Sequence, residues 1–283
     1  MNVLVTGANG QLGHDICEYL TSLGIDNVAA DIGEFDICSM KEVVRAMEFI
    51  KPTHVAHCAA YTAVDKAEQE QELCERVNVD GTRNIARACA DFKAEMLYFS
   101  TDYVFDGNSK DEPWEVDDPK GPLNVYGKTK LKGELAVIEE LEKYYIARIS
   151  WVYGISGGNF VKTMLRLSQS RDEINVVNDQ IGAPTYTQDV AKISLELLKS
   201  GSYGVYHTPN DGQCSWYDFA REIFVKAGVD IKLNPVTTQE YPTAAARPKN
   251  SRLSKKSLDD AGFSHLPHYS DALDRFLVEL NLK

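Results

Sequence analysis

The segment Gly7-Ala8-Asn9-Gly10-Gln11-Leu12-Gly13 constrains this chain more than any other, because of what flanks it. The apolar run Val3-Leu4-Val5-Thr6 precedes it and the helix-patterned stretch from Leu12 to Leu23 follows. A strand, a G-x-x-G-x-x-G turn and a helix, in that order, begin a βαβ unit. Glycine permits both the tight turn and the close approach of backbone to a ligand. The first N–H groups of such a helix have no partner within it and sit at its positive end, which suits an anion, and a pyrophosphate above all. Gly7, Gly10, Gln11, Leu12 and Gly13 are therefore candidate contacts of a dinucleotide.

The rhythm set up by that turn continues. Short β-rich runs at Asn27–Asp31, His54–Cys58, Met96–Ser100 and Tyr145–Ile149 alternate with helical patterns at Met40–Ile50, Glu75–Asp91 and Lys128–Leu141. Alternation of this kind predicts an α/β fold, a Rossmann-like doubly wound parallel sheet covered by helices on both faces. Beyond Trp151 the pattern loosens into helices near Phe160–Gln169, Gln188–Lys199, Ser215–Ala227 and Ser270–Glu279, separated by short strands and Pro-containing loops. We expect residues 1–150 to form a dinucleotide-binding domain and 151–283 mainly a smaller substrate-binding lobe, with segments crossing between the two.

Charge narrows the partners. With 30 Lys+Arg against 42 Asp+Glu, the formal charge of -12 repels phosphate backbones and anionic lipid over most of the surface, so neither nucleic acid nor membrane is an expected partner. The six cysteines form no C-x-x-C pair, and several sit in apolar runs, as reduced thiols do. The chain enters a strand at once, with no signal-like hydrophobic segment, and we expect a cytoplasmic protein.

Two further groups of residues carry chemistry. Asp31 closes the second predicted strand, where a carboxylate can bond adenosine ribose hydroxyls and repel a 2′-phosphate, and with no arginine in the residues that follow the local charge leans toward NADH or dual use rather than strict NADPH selectivity; the alternative is an Asp that caps its own turn. Tyr126-Gly127-Lys128-Thr129-Lys130 is a Y-x-x-x-K whose i, i+4 spacing puts phenol and amine on one helical face. Deprotonating an ordinary tyrosine at pH 7 costs about 4 kcal/mol, much of which a neighbouring ammonium can offset. At the end of the fourth strand, the hydroxyl of Thr101 could polarise a carbonyl oxygen that Tyr126 protonates; alternatively the Ser100-Thr101-Asp102 cluster satisfies turn backbone. The H-x-x-H pairs His54/His57 and His265/His268 lack further ligands and read as core or turn histidines, so no metal site is assigned.

Taken together, Gly10–Gly13, Cys58–Glu68, Ser100–Phe105, Asn124–Lys130, Asp179–Thr185 and Ala244–Pro248 resemble the dTDP-4-dehydrorhamnose reductase family of extended short-chain dehydrogenase/reductases. The resemblance implies NADPH- or NADH-dependent reduction of the 4-keto group of a dTDP-sugar, dTDP-4-dehydro-L-rhamnose. It implies that Tyr126 is the proton donor, Lys130 its pKa-lowering partner and Thr101 the hydroxyl at the reacting oxygen. Asp36 and Ile37 would flank the adenine, and Ala59, Ala60, Tyr61 and Thr62 would line the cofactor. Asp102 and Trp151 join Thr101 and Tyr126 as substrate contacts, and Arg247 is a candidate diphosphate clamp, with a surface salt bridge as its alternative role. Some relatives use Mg²⁺ at a dimer contact, for which the sequence suggests no ligands, and the chain is expected to be a monomer or homodimer. Two other activities fit the same scaffold: a nucleotide-sugar epimerase or dehydratase that returns the hydride to its substrate, and a dinucleotide-binding regulatory subunit with no catalysis.

Overall fold

A computed structural model describes residues 1–282. Strand β1 (Asn2–Thr6) leads through the glycine turn into helix α1 (Gln11–Ser22), which ends where Gly24 takes a left-handed φ of +67°. Strand β2 (Asp26–Ala30), helix α2 (Met40–Ile50), β3 (His54–His57), β4 (Glu95–Thr101) and β5 (Tyr144–Ile149) follow in the expected order. Among the described residues the main sheet has six strands, all parallel, in the order Gly204–His207, β5, β4, β3, β1, β2. This is the doubly wound arrangement. The strand order reverses between β1 and β3, and the crevice above their carboxyl ends is where such sheets take ligands.

Alternation along the strands feeds two cores. Val3, Val5, Leu97, Phe99 and Tyr145 pack toward α1 and the Thr187–Ser200 helix, whereas Leu4, Val55, Met96, Tyr98 and Ile146 pack toward α2 and the Thr82–Phe92 helix. A third cluster around Tyr153, Phe219, Tyr269 and Phe276 forms the core of the C-terminal lobe. The two parts interlock. The sixth strand of the sheet and the helix covering α1 both come from beyond residue 150, because β5 needs an edge partner and the apolar face of α1 needs cover.

Two elements differ from the sequence pattern. The helix expected over Glu75–Asp91 is instead a short helix (Gln71–Glu75), a π-helical segment (Arg76–Gly81) and the Thr82–Phe92 helix. The helix expected from Lys128 starts three residues earlier, at Val125, because the Asn124 side chain accepts the Gly127 N–H at 2.8 Å and Glu68 accepts the Val125 N–H at 2.8 Å. Tyr126 therefore lies within its first turn.

That helix (Val125–Glu140) comes very close to the sheet, and glycine is what allows it. A Cβ at Gly133 would lie 2.3 Å from the Tyr98 hydroxyl and 2.7 Å from the Asn78 carbonyl. Gly133→Ala should consequently lower unfolding stability by about 1–3 kcal/mol. Urea unfolding measures this, and a variant as stable as the parent would contradict the packing described here.

Candidate active site

One cavity of about 710 Å³ opens at the carboxyl ends of the sheet strands. Its floor is the glycine turn. Gly7 has a φ of +67°, and a Cβ there would fall 2.6 Å from the Ala59 nitrogen; a Cβ at Gly13 would fall 2.3 Å from the Gly7 carbonyl oxygen. Glycine is thus required at both positions. Gly10, the N-cap of α1, brings no side-chain cap, so the first N–H groups of the helix remain available to an anion. The cradle fits a dinucleotide pyrophosphate.

Most of the residues singled out in the sequence meet in this cavity. Gly7, Gly10, Gln11, Leu12, Gly13, Asp31, Asp36, Ile37, Ala59, Ala60, Thr62, Thr101, Asp102, Tyr126, Lys130 and Trp151 all line it. Several are nevertheless engaged in ways the sequence does not disclose. Asp31 accepts main-chain N–H bonds from Asn9 at 3.0 Å and Ile32 at 2.8 Å, so in this structure its carboxylate caps its own turn. The Gln11 carboxamide oxygen accepts from the Gly154 N–H and from Asn159 Nδ2, both at 3.0 Å, tying the turn to the C-terminal lobe.

Two expected residues lie off the cavity wall. The Tyr61 hydroxyl donates to Glu70 at 2.6 Å, while its main-chain N–H and carbonyl are both clamped by the Asn78 side chain. Arg247 pairs bidentately with Asp65, at 3.0 and 2.6 Å, and also donates to the Ala245 carbonyl. The guanidinium is therefore occupied by a carboxylate, the geometry it would otherwise offer a phosphate.

At the reacting end, Thr101, Asp102 and Tyr126 adjoin. The Thr101 hydroxyl donates to Asp102 Oδ1 at 3.0 Å and accepts the Tyr103 N–H at 3.2 Å. Two buried atoms of residues that line the cavity, Ser100 Oγ and Asp102 Oδ2, have no hydrogen-bond partner among the described residues. Burial pushes the Asp102 carboxyl up to about 6, against the pull of the nearby Ser251 and Thr101 hydroxyls.

The Tyr126 phenol is raised above its ordinary value, by burial first and then by the Asp102 carboxylate, with the Thr101 hydroxyl opposing. The expected depression of the phenol by Lys130 is absent. The ammonium instead donates to the Phe99 carbonyl at 2.7 Å and sits 4.1 Å from the centre of the Tyr98 ring, where burial lowers it to about 7. The i, i+4 pair shares a helix face, but the amine is held by the sheet.

The sequence reading named Trp151 but missed the aromatic wall it belongs to. Trp151, just after β5, adopts a φ of +49° and stacks on Trp216 at 3.6 Å, and Phe160 leans on Trp216 at 4.5 Å. A Cβ at Gly182 would meet the Trp151 indole at 2.5 Å. The available signal for Trp216 was the S-x-x-D capping box Ser215–Asp218, which fixes it at the start of its helix.

Metal ligands do not gather. Among the described residues no group of three or more His, Cys, Asp or Glu side chains converges, so the Mg²⁺ considered from the sequence has no ligand set within one chain. His57 is bonded to Thr6 at 2.7 Å and Thr82 at 3.2 Å, and His265 to Asp211 and Asp259. No helix among the described residues is long and apolar enough to cross a membrane.

The carboxyl of Asp102 generates a prediction of its own. Because the folded state holds its pKa above the unfolded value of about 3.9, the native state binds the extra proton between the two, and stability falls as pH rises from about 4 to about 6. Asp102→Asn removes that burden and should be more stable at pH 7 by about 1–3 kcal/mol, the difference vanishing near pH 4. Chemical denaturation at both pH values checks this. Equal gains at both would show that ionisation is not the cause.

Comparison with known proteins places this geometry among relatives. The chain matches the family described as RmlD substrate binding domain over residues 1–282. It is 41% identical over 295 residues to the dTDP-4-dehydrorhamnose reductase of Escherichia coli strain K12, with 99% of this chain and 98% of that protein covered. The crystal structure of dTDP-4-dehydrorhamnose reductase from Bacillus anthracis in complex with NADP superposes with a TM-score of 0.96 at 43% identity, covering 99% of this chain and all of that one. A Clostridium acetobutylicum dTDP-4-dehydrorhamnose reductase ortholog gives 0.97 at 42% identity, with coverage of 99% and 100%.

Proposed function

Given that this chain belongs to the RmlD substrate-binding-domain family, with the dTDP-4-dehydrorhamnose reductases among its relatives, we propose that it is an NADPH-dependent oxidoreductase that reduces the 4-keto group of dTDP-4-dehydro-L-rhamnose, giving dTDP-L-rhamnose. The observation that carries this reading is that Thr101, Tyr126 and Lys130 line the same cavity as the glycine cradle. Gly10, Gln11, Leu12 and Gly13 would hold the pyrophosphate of the dinucleotide, Asp36 and Ile37 its adenosine end, with the Asp31 carboxylate kept to its own turn by the Asn9 and Ile32 N–H groups, and Ala59, Ala60 and Thr62 the path toward Tyr126. When bound, the reduced nicotinamide supplies the hydride that the carbonyl carbon accepts.

The remaining chemistry falls to side chains. Thr101 polarises the carbonyl oxygen, and Tyr126 gives that oxygen its phenolic proton as negative charge develops. A phenol held above its ordinary pKa is protonated throughout the neutral range and so is always loaded as an acid. What it needs is help in becoming a phenolate, which Lys130, one helical turn away, would supply by turning its amine from the Phe99 carbonyl toward the phenol. Asp102, with an unpartnered carboxylate oxygen on the wall, accepts a sugar hydroxyl, and Trp151 offers the sugar nucleotide an aromatic flank. Arg247 reaches the substrate diphosphate by exchanging the Asp65 carboxylate for phosphate oxygens of matching geometry. Six free thiols and a charge of -12 support a reducing, cytoplasmic setting without a nucleic-acid partner.

Tyr126→Phe should lower kcat by about 10²–10⁴-fold while the Kd for NADPH stays within about twofold. Spectrophotometric NADPH oxidation and fluorescence titration read the two quantities, and unchanged turnover would overturn the assignment. Consumption of one NADPH per product separates this reaction from an epimerase, which returns its hydride and consumes none.

A further inference from the structure

Tyr126, Lys130 and Glu134 follow one another at four-residue intervals along the Val125–Glu140 helix, so all three project from one face. Glu134 is as deeply buried as Lys130 and is held bidentately by Arg148 of β5, with Nε to Oε1 at 2.8 Å and Nη2 to Oε2 at 2.7 Å. Arg148 is in turn fixed from behind, donating to the Val116 carbonyl at 3.0 Å and lying 3.3 Å from His207 Nε2. The ion pair is therefore rigid, with its negative member on the helix that bears the catalytic amine.

The surroundings of Lys130 give that carboxylate its weight. From β3 and the residue after it come His57 and Cys58, from β4 Tyr98, from the Gln71–Glu75 helix Cys74, and from its own helix Tyr126. Burial keeps every one of these neutral near pH 7: His57 is pushed down to about 3, and the Cys58, Cys74, Tyr98 and Tyr126 groups are pushed above their ordinary values. The Glu134 carboxylate, salt-bridged to Arg148, is thus the counter-charge that Lys130 meets among these neighbours. A buried ammonium without a counter-charge loses its proton.

We propose that Glu134 is a positioning residue for the reaction: its carboxylate, pinned by Arg148, keeps the Lys130 amine protonated and so sets the upper pH limit of catalysis. The inference rests on the role given to Lys130 above. The sign is definite. Lys130 is charged below its pKa, so activity that needs the ammonium is lost as pH rises through that value. Removing the carboxylate therefore brings the loss to lower pH. A purely structural ion pair would lower turnover without moving the limb.

The test is the pH dependence of NADPH oxidation by the enzyme acting on dTDP-4-dehydro-L-rhamnose, in Glu134→Gln, Glu134→Asp and the double variant Glu134→Gln/Arg148→Gln. The alkaline limb should move down by about one pH unit in Glu134→Gln and return toward the parent in Glu134→Asp. The double variant removes both members of the ion pair, so neither is left alone, and its limb should also move down; it decides the matter where a single variant does not fold. A limb that stays in place in a folded Glu134→Gln or double variant overturns the proposal. Lys130→Met separates the two levels: turnover equal to the parent's there would refute the role of Lys130 itself, whereas its loss with an unmoved limb in Glu134→Gln would refute only the tie to Glu134.

Discussion

The site depends on a contact between two stretches of backbone. Gly7 and Ala59 meet at the point where the sheet reverses its strand order, so close that no side chain fits between them. This juxtaposition brings the turn after β1 and the segment after β3 to one crevice. Asn78 then carries the constraint onward. Its amide grips both main-chain groups of Tyr61 and donates to the Thr129 hydroxyl at 3.0 Å, joining the cofactor-side segment to the helix that bears Tyr126. The π-helical segment puts Asn78 there, an irregularity of the sort often found beside functional sites.

Electrostatically, the interior is kept mostly neutral. Thiols, phenols and imidazoles around the reacting end are buried in their uncharged forms, so the few charges that remain act with little screening. Asp102 bears the cost of being one of them. An ionised, half-partnered carboxylate weakens the fold at neutral pH, and it does so at the wall of the cavity that gathers Thr101 and Tyr126.

Much of this was readable from the sequence because it depends on local spacing. The glycine turn, the alternation of strand and helix, and Y-x-x-x-K each state a geometry within a few residues, and the cavity gathers nearly all the positions they named. What escaped depends on partners distant in the chain. The claim of Asp65 on Arg247 spans 182 positions, the hold of Gly154 on Gln11 spans 143, and the sheet's grip on Lys130 through Phe99 joins a helix to a strand that no periodicity connects. Trp216 was illegible for the same reason, since its importance comes from stacking on Trp151 across the lobe boundary. The early start of the helix that bears Tyr126 could have been found, because Asn124 is a recognisable N-cap.

The last strand to join the sheet comes from residues 204–207, and the helix laid over α1 from 187–200. On the ribosome, the first 150 residues therefore emerge with a hydrogen-bonding edge on β5 and an apolar stripe on α1 that nothing yet covers. Until residues 187–207 are made, that edge and that stripe have no partner within the chain, so the lobe boundary in sequence is not a boundary in folding.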